Sequence, residues 1–139
     1  MRQLCIGIVF TLISTVGFSA ESCPPDFAPF LTKFESSREF QRQNTHFPLA
    51  ATYVDGSASP EPRTEMYMIE SAADPKYSRA IYPSRKKQAA IPFEKKITSK
   101  QSVIRMVKFT KPDTDYSFAF TFEQTASCWR LVKFEDYSL

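Results

Sequence analysis

The sequence predicts an α+β fold, an N-terminal amphipathic helix packed on a curved antiparallel sheet. Three observations carry this. Phe27, Phe30, Leu31 and Phe34 recur three and four residues apart, which is the period of one helix face. Tyr116, Phe118, Phe120 and Phe122 alternate with Ser117, Ala119, Thr121 and Glu123, which is the period of a strand. Both patterns present phenylalanine, so laying one on the other buries a single aromatic core.

The elements follow in chain order. Cys23-Pro24-Pro25-Asp26 is a stiff lead with Asp26 as a fair N-cap, and Pro29 is tolerable in the first turn of the helix. Ser36 to Gln41 supplies its wet side, or a break before a shorter second turn that carries Phe40. From Phe47 the texture changes to FPLAATYV and, beyond the turn-rich Asp55 to Pro62, to EMYMIES, which read as paired strands. Residues 72–92 are ambiguous: Lys76 to Tyr82 fits a strand, and Ser84 to Ala90 fits a helical turn between two prolines. Ser102 to Thr110 is rich in strand formers, and Lys111-Pro112-Asp113 ends it. The run Cys128 to Glu135 closes a hairpin with the Phe118–Phe122 strand, Trp129 and Leu131 facing one way and Val132 and Phe134 the other.

Length and composition limit the chemistry. The chain has 139 residues, 42% hydrophobic and 24% charged, enough for one domain, expected over residues 21–139. Beyond residue 20 there is one glycine, Gly56, and one histidine, His46. A glycine-rich phosphate loop and a Cys/His zinc site are therefore excluded, and neither cofactor nor metal is expected.

Residues 1–20 read as a signal peptide. Met1-Arg2-Gln3 starts with a positive charge, and Leu4 to Phe18 is an uncharged apolar run of fifteen residues. A spanning helix needs about 20 such residues, so removal is expected and no transmembrane helix remains in the mature form. Cutting after Ala20 is preferred to cutting after Ser19. Glu21 stands where a lipobox wants a small or apolar residue, which argues against lipidation of Cys23. Export leaves Cys23 and Cys128 as an even pair in an oxidising compartment, and a disulfide between them is the natural outcome. Localisation is expected to be periplasmic or secreted.

The pattern Phe30-Leu31-x-x-Phe34, then Glu39-Phe40-Gln41, Phe47-Pro48-Leu49 and the closing Trp129-Arg130-Leu131 resembles an uncharacterised family of secreted bacterial proteins of the nuclear-transport-factor-2-like (cystatin-like) superfamily. The likeness covers about half of the mature chain, and its motifs are mostly packing residues. It implies a cone-shaped α+β fold with a pocket between helices and sheet. The family has no established activity to carry over.

Charge is the largest functional clue. From Lys76 to Lys111 there are eleven basic residues against one acid, Glu94, while residues 21–75 sum to −5 and residues 112–139 to −3. Such an imbalance steers anionic partners, here an acidic protein surface or an anionic envelope component, with nucleic acid disfavoured by the compartment. Arg85, Lys86, Lys87, Lys95 and Lys96 are the expected contacts. The competing expectation is that these bases are solvated strand faces balanced by the acidic flanks.

No catalytic set stands out. His46 with Asp55 or Asp115 is the best acid–base candidate, yet a single histidine beside Phe47 reads better as a boundary residue. The functional expectation is an exported, non-enzymatic binding module of the bacterial envelope, an inhibitor or immunity-type protein being one form of it. The alternative is a small-ligand-binding or enzymatic cone domain with an interior pocket drawing on His46, Tyr53, Tyr116 and Trp129.

Overall fold

The computed structural model describes residues 22–126 and 128–139. Residues 1–20, read as a signal peptide, and the expected cleavage after Ala20 lie outside the described residues. Helix α1 (Phe27–Ser36) buries Phe30, Leu31, Phe34 and Glu35. It stops at Ser37, whose backbone is extended and whose hydroxyl accepts the Phe40 N–H at 3.1 Å to open α2 (Arg38–Gln43). One serine thus ends one helix and caps the next, satisfying an amide that the first turn leaves without a partner.

Six strands follow: β1 (Thr45–Asp55), β2 (Arg63–Ile69), β3 (Glu94–Gln101), β4 (Ile104–Thr110), β5 (Ser117–Thr125) and β6 (Cys128–Asp136). They form one curved sheet in the order β2-β1-β6-β5-β4-β3. The expected antiparallel sheet holds at every pair except β1 with β6, which run parallel. The β1–β2 hairpin and the β3–β6 meander are each antiparallel within themselves, and they join side by side along strands of the same direction.

Two segments differ from the sequence reading. Lys76 to Tyr82 is not a strand: a 3-10 turn spans Pro75–Ser78, capped by Asp74, whose carboxylate accepts the Lys76 N–H at 2.9 Å. A capping aspartate followed by a φ-restricted proline nucleates a turn more strongly than the scattered aromatics favour extension. The helical turn expected over Ser84 to Ala90 is present as α3 (Arg85–Ala90), with Ser84 as its cap. The strand read from Ser102 begins at Ile104, and residues 94–101 ahead of it form β3. That strand escapes a hydrophobicity pattern because it is an edge strand, mostly exposed, in which Lys95, Lys96 and Lys100 deter further pairing.

The expected two-faced split of β6 also changes. Thr121 pairs with Lys133 but Phe122 pairs with Leu131, so Val132 is an extra residue in β6, a β-bulge. The bulge resets the alternation and puts Trp129, Leu131 and Phe134 all in the core, at 2%, 1% and 2% exposure. Phe122 lies at its centre, with the rings of Phe27, Phe30 and Phe34 at 5.5, 5.8 and 5.1 Å. A disulfide joins Cys23 to Cys128 with their Cα atoms 5.5 Å apart, tying the lead segment to the start of β6. Among the described residues no helix is long and apolar enough to cross a membrane.

Candidate ligand-binding groove

The core-side face of the sheet opens where the far ends of β1 and β6 and the start of β2 meet the 75–87 segment. Tyr53 lies opposite Glu65 in the β1–β2 register, and its hydroxyl donates to the Glu65 carboxylate at 3.0 Å. Tyr67 stands beside it, the two rings 5.7 Å apart, with the Lys76 ammonium 5.7 Å from the Tyr67 ring centre. Together with Arg79 these residues line a cavity of about 300 Å³.

Two more cavities continue it. One of about 410 Å³ shares Tyr53 and Arg79 and adds Val54, Ser78, Lys87, Tyr116, Asp136 and Ser138. A smaller one, about 50 Å³, reaches inward past Arg79, Lys87, Tyr116 and Asp136 to Ile81, Pro83, Phe118 and Phe134. Arg79 borders all three, so they adjoin one another, and together they make a groove lined by the aromatic rings of Tyr53, Tyr67 and Tyr116, by the bases Arg79 and Lys87 and by Asp136.

The walls are built on anchored backbone. Tyr77 and Ala80, 8% and 0% exposed, bracket Arg79, whose own N–H donates to the Lys76 carbonyl at 3.2 Å. Asp136 ends β6 opposite Phe118, and its Oδ1 accepts the Ser138 N–H at 3.0 Å. The Ser138 hydroxyl is buried and has no hydrogen-bond partner among the described residues. Donation to Glu65 raises the Tyr53 pKa, and burial raises that of Tyr67, so both phenols keep their protons at neutral pH. Among the described residues Lys76, Arg79 and Lys87 enter no ion pair.

The residues singled out in the sequence separate into distinct places. Tyr53 and Tyr116 line the groove. His46 is exposed on β1, bordering a separate cavity of about 560 Å³ with Glu123, Thr125, Arg130 and Val132. Trp129 is buried, its indole N–H donating to the Pro25 carbonyl at 2.8 Å and its ring 4.9 Å from that of Phe27.

The basic cluster also divides. Glu35, 6% exposed on α1, accepts hydrogen bonds from the Tyr82 hydroxyl at 3.3 Å, from Arg85 Nε at 3.3 Å and from the Lys95 ammonium. Arg85 and Lys95 therefore clamp the helix to α3 and β3. Lys86, Lys87 and Lys96 are exposed and unpaired among the described residues, and Lys87 turns toward the groove. Sequence reasoning missed Tyr67, Asp136 and Ser138, and it counted Arg79 only as one base in a run. The Asp74-Pro75 turn signal was the clue to Arg79, since that turn aims it at the sheet end.

The fold is similar to that of a solved NTF2-like protein. An NTF2-like protein from Bacteroides fragilis, known from its crystal structure, aligns over 86% of the chain with a TM-score of 0.57 and 18% identity. The chain spans about half the length of that protein, 50% of it. At that identity the likeness shows the fold alone. No family model matches the chain, and no curated protein matches it.

Proposed function

We propose that the protein is an exported, non-enzymatic binding domain that holds a small ligand in the groove between the 75–87 segment and the ends of β1, β2 and β6. The observation that supports this reading best is that three cavities adjoin around Arg79. A concave site with an apolar floor and a few polar groups on rigid backbone is the general form of a small-molecule site. Export fits the Cys23–Cys128 disulfide, because such bonds persist in oxidising compartments.

A second reading has its own support. Lys86, Lys87 and Lys96 are exposed and enter no ion pair among the described residues, which suits an acidic protein surface or an anionic envelope component, as an inhibitor or immunity-type protein would need. Amide chemical-shift mapping during titration with an envelope extract, its small-molecule and macromolecular fractions added separately, separates the two. The groove reading expects changes concentrated at Tyr53, Tyr67 and Arg79 and lost in Arg79→Gln. Changes centred on Lys86 and Lys96 that fade with added salt instead favour the basic surface, and an extract that moves neither group overturns the groove reading.

A further inference from the structure

Opposite charges face the same groove without meeting. Arg79 and Lys87 share two of its cavities with Asp136, yet among the described residues neither cation comes within ion-pair distance of that carboxylate. An exposed Arg and Asp that merely decorate a surface gain a little by closing on each other. Here they border the same two cavities from different elements, Arg79 from the 75–87 segment and Asp136 from the end of β6. Arg79 is fixed in its turn by the buried flanking residues Tyr77 and Ala80, and Asp136 is fixed by the Ser138 N–H on one oxygen. The second Asp136 oxygen makes no hydrogen bond among the described residues, and the Ser138 hydroxyl nearby is buried and unpartnered.

We infer that the ligand is a small zwitterion, its anionic group held by Arg79 with Lys87 and its cationic group by Asp136. This rests on the groove being the binding site. A simple anion would gain from Arg79 but would lie against the Asp136 carboxylate, and a simple cation would meet the converse conflict. A molecule carrying both charges satisfies both walls at once. Its gain comes from charge-assisted hydrogen bonds to groups that enter no ion pair among the described residues.

The test uses the purified disulfide-bonded protein and three matched sets of probes. These are straight-chain ω-amino carboxylic acids of three to eight carbons, the carboxylic acids of the same lengths and the alkylamines of the same lengths, each titrated by amide chemical shift. At one chain length or more, the amino acid is expected to bind at Tyr53, Arg79 and Asp136 about tenfold tighter than its matched acid or amine, the size of one added charge-assisted hydrogen bond. Arg79→Gln should bring the amino acid down to the level of the amine, and Asp136→Asn down to the level of the acid. If a carboxylic acid or an amine binds the groove as tightly as every amino acid, the zwitterion is overturned while the groove reading stands. If no probe of any set moves the groove residues, both fall. Unchanged amide spectra away from the substituted sites show that the variants are folded.

Discussion

Glu35 shows how one side chain can be misread from its type alone. It sits on the buried side of α1, where burial pushes its pKa up, but the Lys95 hydrogen bond and charge, with smaller contributions from Gln88 and Arg85, outweigh that and hold the carboxyl below its ordinary value. Burial, reinforced by the same carboxylate, pushes the Tyr82 phenol far up, so Tyr82 stays a donor to it. A depressed folded-state pKa means the stabilisation is complete above the carboxylate range of the unfolded chain and is lost as pH falls through the folded value. Glu35→Gln should therefore destabilise the protein by about 1–3 kcal/mol at neutral pH, less than a fully buried pair because Arg85 remains largely exposed. Urea titrations of both proteins should show the gap narrowing between pH 5 and about pH 3. A gap that stays constant over that range would mean that the shape of Glu35 matters and its charge does not.

At the level of elements, the parts legible in the sequence were those whose pattern is local. The Phe27–Phe34 stripe and the Phe118–Phe122 alternation identify α1 and β5 because each buries one face continuously. The edge strand β3 and the Pro75–Ser78 turn were not legible in the same way. One has little apolar face to reveal, and the other depends on a cap that competes with a strand pattern. Within the candidate site, Tyr53 and Tyr116 were accessible to sequence reasoning as polar residues of an expected interior pocket, whereas Asp136 depends on sheet register and Ser138 on the chain beyond the last strand. The β6 bulge is the plainest case. Strict alternation sets Leu131 apart from Phe134, but the extra residue at Val132 brings them to one face. Leu131→Ala and Phe134→Ala should each lower stability by about 2–5 kcal/mol, and Val132→Ala by less than about 1 kcal/mol. Denaturant midpoints for the three variants check this, and a Val132 effect as large as that of Leu131 would contradict the bulge.

Across the whole molecule, the disulfide and the groove occupy opposite ends of the same strand. Cys128 begins β6 and Asp136 ends it, a span of about 25 Å at the usual rise per residue. Near the disulfide, the Trp129 and Gln124 side chains both donate to the Pro25 carbonyl, so the lead segment is held there by more than the sulfur bridge. The groove end depends instead on the turn around Arg79 and on the β1–β2 register. Stability and binding should therefore separate. Replacing both cysteines with serine should lower the unfolding free energy by about 2–5 kcal/mol, the range for losing a native disulfide that closes a long loop. In the protein that remains folded, amide shifts should change around Trp129 and Pro25's neighbours while those of Tyr53, Arg79 and Asp136 stay in place. Shifts of comparable size at the groove would mean that the bridge sets the geometry of the binding end, and that β6 transmits strain along its length instead of isolating the two functions.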